Sequence, residues 1–355
     1  MGSRQAENSG TTEVREGLHF STSRLHDFMV SHVEGFRGAL QVRQFRGGQS
    51  NPTYLLEAGS RRYVLRRKPP GKLLKSAHAV DREFRVISAL YAADFPVPRP
   101  CVLCEDVAVI GTTFYIMEYV DGRIFWELDL PGLAPDERAA IYDSANDTIA
   151  RLHSFDYAAM GLDDFGKPGN YFARQISRWS GQYRASETRT IEAMDRLIEW
   201  LPEHIPDDDS ASIVHGDFRL DNMIIHPVEP RVIAVLDWEL STIGHPLADF
   251  TYHLMSWQMP DIGLGSAGLR DKNLAALGIP SEDEYTRRYC ERTGRDDGIA
   301  HRDFYSAFNF FRLAAILQGI AGRVRDGTAA SAHAGQAERA VEPLALLGWE
   351  FAARA

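Results

Sequence analysis

Three polar side chains have the types and the spacing that metal-dependent phosphoryl transfer requires. Asp217 follows the short apolar segment Ile213-Val214, and Asn222 comes five positions later. A second carboxylate, Asp237, comes fifteen residues after Asn222 and directly after the apolar run 232–236. Carboxylate and amide oxygens suit a hard cation. Asp and Asn also favour turns, but three of them around a strand at this spacing favour a site over turn chemistry.

Length, composition and charge limit the classes of protein to which this chain can belong. Its 355 residues exceed the size at which one hydrophobic core stops growing, so two lobes are expected. Hydrophobic residues make up 44% and charged residues 25%, as in ordinary globular proteins. The net charge of −10 argues against binding to nucleic acid or to an anionic membrane. Any phosphate site must therefore be a local basic cluster.

The sequence also lacks the signals of secretion, membrane insertion and disulfide bonding. The polar start from Met1 to about Arg15 does not resemble a signal peptide, and no apolar run approaches the roughly 18 residues of a membrane span. Cys101 and Cys104 lack the second pair that a structural zinc site needs, so they are interpreted as packed residues. A cytoplasmic location is expected, and the oligomeric state is left open.

The N-terminal region has the pattern of a small antiparallel sheet. After residues 1–22, interpreted as a disordered tail, and a short helix from about Ser23, alternating residues predict strands at 40–45, 53–57 and 61–68. The first two strands are joined by Gly47, Gly48, Gln49, Ser50, Asn51 and Pro52. The segment 47–51 is either a loose hairpin turn or a flap whose backbone N–H groups approach nucleotide phosphates, where a Cβ would hold the backbone away.

A cation and a carboxylate in this region are predicted to form an ion pair. Alternation along the third strand puts Arg66 and Lys68 on one face. In the helix predicted from Ser76 to Leu90, Glu83 lies on the apolar stripe. A carboxylate on a buried face needs a cation, and Arg66 is the candidate, with Lys68 as the alternative. A solvated basic edge is the other interpretation of the strand.

The sequence pattern changes from strands to helices near residue 120. Two further strands are predicted around Val102 and Phe114, and the extended segment that follows is suited to the edge of an adenine ring, through Met117, Glu118 and Val120. An ordinary linker is the alternative. We place the boundary between an N-terminal lobe (23–120) and a C-terminal lobe (121–355) here. Helices are predicted at 141–153 and 191–201, with a loop-rich aromatic segment at 161–184.

These features together resemble a known family. The pattern His215-Gly-Asp217-(four residues)-Asn222, followed by Asp237-Trp-Glu239, is similar to that of the aminoglycoside phosphotransferases, small-molecule kinases that share the protein-kinase fold. The resemblance extends from Gly47 to the terminal helices. It implies an α+β, bilobal, kinase-like fold: a small antiparallel sheet with one key helix, then a larger, mainly helical lobe that binds substrate.

The resemblance implies roles for individual residues, with ATP and Mg²⁺ as cofactors. Asp217 resembles the catalytic base, while Asn222 and Asp237 resemble the magnesium ligands. His215 resembles a residue that braces the loop, and Arg219 could neutralise charge on the transferring phosphoryl group. Two features depart from the pattern of protein kinases: arginine stands at position 66 where lysine is usual, and no Phe-Gly follows Asp237.

The acceptor is sought in the C-terminal helices. A long helix is predicted there with a buried stripe at Phe310, Leu313, Leu317, Ile320 and Val324, and with a basic face at Arg312, Ile316, Gly319 and Arg323. This face is either a solvated surface or a substrate surface. Acidic and basic residues nearly balance from 256 to 355, which favours a small anionic acceptor over a polycationic antibiotic.

Three segments add a likeness to the branch fused to acyl-CoA dehydrogenases: 65–71, 77–83 and 316–319. This branch suggests a hydroxyacyl-CoA or a hydroxy acid as the molecule whose hydroxyl group is phosphorylated. The alternatives are an aminoglycoside acceptor and a nucleotide-binding pseudokinase with a regulatory role. The presence of Asp217, Asn222 and Asp237 together speaks against the pseudokinase.

Overall fold

The computed structural model describes residues 9–46, 51–69, 79–260, 268–325 and 334–355. The chain divides into two units. The first unit comprises Met1–Trp126, Met160–Leu162 and Leu220–Ser241, and the second comprises Glu127–Ala159, Asp163–Arg219 and Thr242–Ala355. Within the described part of the chain, no helix has the length and apolar character needed to cross a membrane.

The first unit contains a six-stranded antiparallel sheet with the strand order β1-β2-β3-β4-β6-β5. The strands are β1 (Thr11–Thr12), β2 (Leu40–Phe45), β3 (Thr53–Ala58), β4 (Arg61–Arg67), β5 (Pro100–Cys104) and β6 (Phe114–Glu118). β1 pairs with the end of β2, so part of the predicted tail lies along the sheet edge. The strands predicted at 40–45, 53–57 and 61–68 correspond to β2, β3 and β4, with nearly the expected bounds.

Helices cover both faces of this sheet. They are α1 (Thr22–His32), α2 (Val80–Ala92) and the single turn α3 (Val107–Ile110). Leu25 and Met29 of α1 belong to the core on one face, and α2 contacts β5 and β6. Because both faces are covered, β4 is buried from Tyr63 to Arg67, which excludes the interpretation of a solvated basic edge. The first residues of the helix predicted from Ser76, and Gly47, Gly48, Gln49 and Ser50, lie outside the described residues.

A second, two-stranded sheet in the first unit is formed by β8 (Met223–Ile225) and β9 (Val232–Val235). The chain after β6 pairs with it, since the N–H of Arg123 donates to the carbonyl of Ile225 at 2.7 Å and the reverse bond measures 2.8 Å. A Cβ built on Gly122 would lie 2.4 Å from Cγ2 of Ile224 and 2.5 Å from the carbonyl oxygen of Ile225. Only glycine permits this close approach.

We therefore expect Gly122→Ala to lower the free energy of unfolding of this unit by about 1–3 kcal/mol, because a carbonyl of the paired strand cannot move aside as a flexible side chain can. Urea denaturation measures the change. Gly181→Ala is the matched control, since an added Cβ there meets nothing within 4 Å and the residue lies inside a helix. Equal stabilities for the Gly122→Ala variant and the wild type would contradict this account of the contact.

The second unit is mainly helical. Its short strands β7 (Ser212–Val214) and β10 (Thr242–Gly244) pair antiparallel. Its helices are α4 (Pro135–His153), α5 (Tyr171–Ser186), α6 (Glu192–Glu203), α7 (Pro246–Gln258), α8 (Leu274–Leu277), α9 (Glu282–Thr293), α10 (Arg302–Arg325) and α11 (Ala334–Ala352). The predicted helices at 141–153 and 191–201 correspond to α4 and α6. Each predicted stripe had a length and a period that only a helix satisfies.

Two expectations for this unit were wrong. The segment 161–184 is not loop-rich throughout, because α5 begins at Tyr171 and buries Phe172, Ile176, Trp179 and Tyr183 at helical spacing. The long helix α10 has no single buried stripe, since it packs against α5, α6, α7 and α11. Phe310 is buried, but Leu313, Leu317 and Ile320 are only half-buried, while Phe311, Ala314 and Gln318 are buried instead.

Candidate functional site

The first unit contains a buried ionic cluster centred on Arg66. Its Nε lies 2.8 Å from Oε2 of Glu83, and its Nη2 lies 2.5 Å from Oδ1 of Asp237 and 3.3 Å from Oε2 of Glu239. Arg66 is 8% exposed and Glu83 is 1% exposed. The ion pair inferred from the helical stripe is therefore present. Lys68 lies apart from this cluster and pairs with Asp81 at 3.1 Å.

Two neighbours complete the cluster. Tyr115 is the cross-strand partner of Arg66, and its hydroxyl donates to Oε2 of Glu83 at 3.1 Å. The side-chain amide of Asn51 donates to Oε1 of Glu83 at 2.9 Å and to Oε2 of Glu239 at 3.3 Å. Asn51 thus links the end of the glycine-containing turn to the carboxylates around Arg66. It is the one member of the predicted flap that the described residues include.

The electrostatics of this cluster favour an additional cation. Burial raises the pKa of Glu83 to about 7, against the opposing effect of Arg66. Burial acts to lower the pKa of Arg66, but the carboxylates of Asp237 and Glu83 raise it above its ordinary value, so the guanidinium stays charged. Three carboxylates surround one guanidinium, so the cluster has an excess of acidic groups.

The β8–β9 pair brings Asn222 and Asp237 into the same part of the first unit. Asn222 immediately precedes β8, while Leu236 follows β9 and precedes Asp237. The N–H of Leu236 donates to the carbonyl of Asn222 at 2.8 Å, which holds the ends of the two strands together. Asp237 itself adopts a left-handed backbone conformation with φ 66°, which aspartate tolerates better than most residues. Antiparallel pairing therefore explains why residues fifteen positions apart converge.

In the second unit, the backbone before Asp217 is held from two helices. Asp249 of α7 accepts the N–H of His215 at 2.7 Å and that of Gly216 at 2.8 Å, and Nη2 of Arg312 donates to the carbonyl of Gly216 at 2.9 Å. Within the loop, Nδ1 of His215 accepts the N–H of Asp217 at 3.1 Å. His215 thus has the bracing geometry expected of it. The N-cap residue of α7 is His245, so Asp249 in the first turn of this helix is available to the loop.

The carboxylate of Asp217 also has specific partners. Its Oδ1 accepts a hydrogen bond of 2.7 Å from the hydroxyl of Tyr252 and lies 3.4 Å from Nε of Arg219. Burial alone would raise the pKa of Asp217, but the Arg219 guanidinium and the Tyr252 hydrogen bond hold it below its ordinary value. Asp217 is therefore ionised at neutral pH and suited to accept a hydrogen bond from a hydroxyl group.

The remaining candidates have different surroundings. Met117 is buried, and Glu118 is bound to Arg99 twice: its side chain pairs with the Arg99 guanidinium at 2.6 Å, and its backbone N–H donates to the Arg99 carbonyl at 2.9 Å. Val120 is half-buried. Arg323 is exposed. Arg312 is 6% exposed and contacts the Asp217 loop, so the predicted basic surface on α10 does not include it.

Sequence reasoning missed Tyr252, Tyr115 and the contacts of Asn51 with the carboxylates. Tyr252 lies in a helix whose residues are almost all buried, so no periodicity marks it. Tyr115 lies in a run of consecutive buried residues of β6, so alternation along the strand does not mark it. Only strand register could have identified Tyr115, because it lies directly across from Arg66.

Comparison with known proteins identifies the family and the relatives that this chain resembles. The model of the family described as "Phosphotransferase enzyme family" matches residues 41–291. A Ralstonia eutropha protein, whose crystal structure carries a provisional assignment as an aminoglycoside phosphotransferase, is 54% identical. The similarity covers 95% of this chain and 99% of that one, with a TM-score of 0.85.

A curated relative, Acyl-CoA dehydrogenase family member 10 of Mus musculus, is 50% identical over 89% of this chain but only 30% of its own length. This chain spans less than half the length of the curated relatives it matches. A thermostable mutant of APH(4)-Ia, solved with AMP-PNP and hygromycin B, is 18% identical over 92% of this chain and 99% of that one. Its TM-score of 0.58 shows a shared fold.

Proposed function

Because this chain belongs to the phosphotransferase enzyme family and has its kinase-like fold, we propose that it transfers the γ-phosphate of ATP, with Mg²⁺, to a hydroxyl group of a small molecule. One observation carries the proposal: a buried guanidinium, Arg66, is held by Glu83 and contacts Asp237, whose neighbour Leu236 is hydrogen-bonded to the backbone of Asn222. This is the arrangement that phosphoryl transfer needs for charge stabilisation.

The donor set fits the two cofactors. When bound, Mg²⁺ would supply positive charge that stabilises phosphoryl transfer, and ATP would supply the phosphoryl group. Asn222 and Asp237 offer an amide and a carboxylate oxygen, and the excess of carboxylates over cations around Arg66 suits a divalent cation. Among the described residues no three His, Cys, Asp or Glu side chains form a metal cage. A pair of oxygen ligands agrees with the preference of Mg²⁺ for a few protein ligands plus water and phosphate.

Each of the predicted site residues has a proposed role. Arg66, kept charged by its carboxylates, binds phosphate oxygens, and Glu83 orients it. Asp217 hydrogen-bonds the acceptor hydroxyl and takes its proton, while His215 holds the loop and Arg219 neutralises charge on the transferred group. The proposed role of the turn 47–51, of which the structure describes only Asn51, is to bind the phosphates through backbone N–H groups. The backbone from Met117 to Val120 binds the adenine ring.

For the acceptor we propose a small anionic hydroxy compound, either a hydroxyacyl-CoA or a hydroxy acid. Two observations support this class: several relatives are named as acyl-CoA dehydrogenase family members, and acidic residues are not concentrated in the C-terminal region. Measuring ADP release with Mg²⁺-ATP across hydroxyacyl-CoAs, hydroxy acids, sugars, choline and aminoglycosides tests the proposal. Turnover with aminoglycosides alone would disprove the acceptor class. No turnover with any acceptor, alongside intact nucleotide binding, would indicate a pseudokinase.

Replacing the proposed metal ligand should separate metal-dependent from metal-independent nucleotide binding. We expect Asp237→Ala to weaken ATP binding at least about 10-fold in Mg²⁺, which corresponds to about 1.4 kcal/mol, and to change it little in EDTA. Calorimetric titration in both buffers measures this. Asp27→Ala, at an exposed position on α1, is the control. A loss of affinity that is equal in both buffers would contradict the assignment of Asp237 as a ligand.

A further inference from the structure

Two helices of the second unit converge on the loop that carries Asp217. Asp249 and Tyr252 are three residues apart and therefore lie on one face of α7, where the first binds the loop backbone and the second binds the Asp217 carboxylate. Arg312 reaches the same loop from α10. One helix face thus sets both the backbone and the side-chain orientation of Asp217.

Arg312 connects these contacts to each other. Its guanidinium lies 5.3 Å from the centre of the Tyr252 ring and also donates to the carbonyl of Gly216 at 2.9 Å. α10 is itself anchored to α7, because the side-chain amide of Asn309 donates to the carbonyl of Ala248 at 3.0 Å and to the hydroxyl of Thr251 at 2.8 Å. A buried arginine in contact with both the ring and the loop restrains the position of each relative to the other.

The Tyr252 hydroxyl is a permanent donor to Asp217. Burial, with the Asp217 charge next in effect, raises the pKa of Tyr252 far above its ordinary value, so the phenol stays protonated. Besides Tyr252, the titratable groups that act on Asp217 include Arg219 and His215 in its own loop and Arg312 on α10. A short bond from a neutral, immobile donor fixes a carboxylate rotamer without neutralising the carboxylate.

We infer that Tyr252 and Arg312 are positioning residues that fix the carboxylate of Asp217 for phosphoryl transfer, and that Arg312 does not contact the acceptor. This inference rests on the proposed function, in which Asp217 is the base. It replaces the sequence-based assignment of Arg312 to a substrate surface. The hydrogen bond from Tyr252 to Oδ1 of Asp217 and the dual contact of Arg312 carry it.

Tyr252→Phe is the principal test, because it removes the hydroxyl and keeps the ring beneath Arg312. We expect kcat to fall about 10- to 100-fold with KM for ATP unchanged, since orientation of the base acts on the transition state. The hydrogen bond favours the ionised carboxylate, so its loss should raise the pKa of Asp217 and move the acid limb of the pH–kcat profile to higher pH. Unchanged kcat and an unchanged acid limb would overturn the inference.

Two further variants separate positioning from folding and from substrate binding. Tyr142→Phe is the matched control, since this buried tyrosine of the same unit donates to the carbonyl of Leu128 at 2.6 Å, away from Asp217. It should lose similar stability and keep kcat. Arg312→Lys keeps the charge but not the planar contact with both groups, so kcat should fall while KM for the acceptor stays the same. A rise in acceptor KM with unchanged kcat would instead overturn the inference and support the assignment of Arg312 to a substrate surface.

A measurement without turnover distinguishes failure of this inference from failure of the proposed function. Carboxyl ¹³C NMR of the full chain, assigned with Asp217→Asn, follows the titration of Asp217 directly. A higher pKa of Asp217 in Tyr252→Phe supports the positioning contact even if no acceptor is phosphorylated. The same pKa in the variant and the wild type would overturn the contact whether or not the wild type turns over.

Discussion

Asp217→Asn is expected to reduce phosphoryl transfer about 10²- to 10⁴-fold while leaving ATP binding intact, because an amide cannot take the proton of the acceptor hydroxyl. The substitution preserves size and shape, and an amide oxygen can still accept the hydrogen bond from Tyr252. The hydrogen bonds from the N–H groups of His215 and Gly216 to Asp249 do not involve the side chain of Asp217, so the loop should keep its conformation. Steady-state ADP release and calorimetric ATP titration measure the two effects.

Asp221→Asn is the control for Asp217→Asn, since it makes the same chemical change four positions along the chain. It should retain most of the activity. Full activity in Asp217→Asn would show that another group takes the proton. A simultaneous loss of ATP binding would indicate that the substitution disturbs the fold and not the proton transfer.

Arg66→Met is expected to have the largest effect on stability, about 3–5 kcal/mol of the free energy of unfolding, because it leaves Glu83 buried without its cation. Asp237 and Glu239 also lose the guanidinium with which each forms an ion pair. We expect the affinity for Mg²⁺-ATP to fall as well, since the proposed phosphate contact is removed. Urea denaturation and calorimetric titration at pH 7 measure stability and affinity separately.

The double variant Arg66→Met/Glu83→Gln should recover part of the lost stability, since the buried charge is then removed with its partner. Arg67→Met is the matched control: Arg67 is buried on the opposite face of β4, where its Nη2 donates to the carbonyl of Leu18 at 2.8 Å. It should destabilise the sheet without weakening Mg²⁺-ATP binding. An equal loss of affinity in the Arg67 and Arg66 variants would contradict the role of Arg66 in binding phosphate.

The sequence by itself predicted the pair Arg66–Glu83, with Lys68 left open as the alternative cation. A period of two placed Arg66 on one face of a strand, a period of 3.6 placed Glu83 on the buried stripe of a helix, and a buried charge needs a partner. The two periods are local properties that the sequence shows directly, whereas the choice between Arg66 and Lys68 was made by the structure. The motif from His215 to Asn222 likewise indicated the family through residues that are close in sequence.

Only the tertiary structure could decide what surrounds Asp217 and what Arg312 does. Tyr252 and Arg312 are separated from Asp217 by 35 and 95 positions, and nothing in the sequence of a helix buried on nearly every side shows which neighbour each residue meets. The same holds for Asn51, whose partners Glu83 and Glu239 come from a helix and from the segment after β9. Periodicity tells which side of an element is buried. The partner of a buried polar group is set by packing between elements, and that requires the fold.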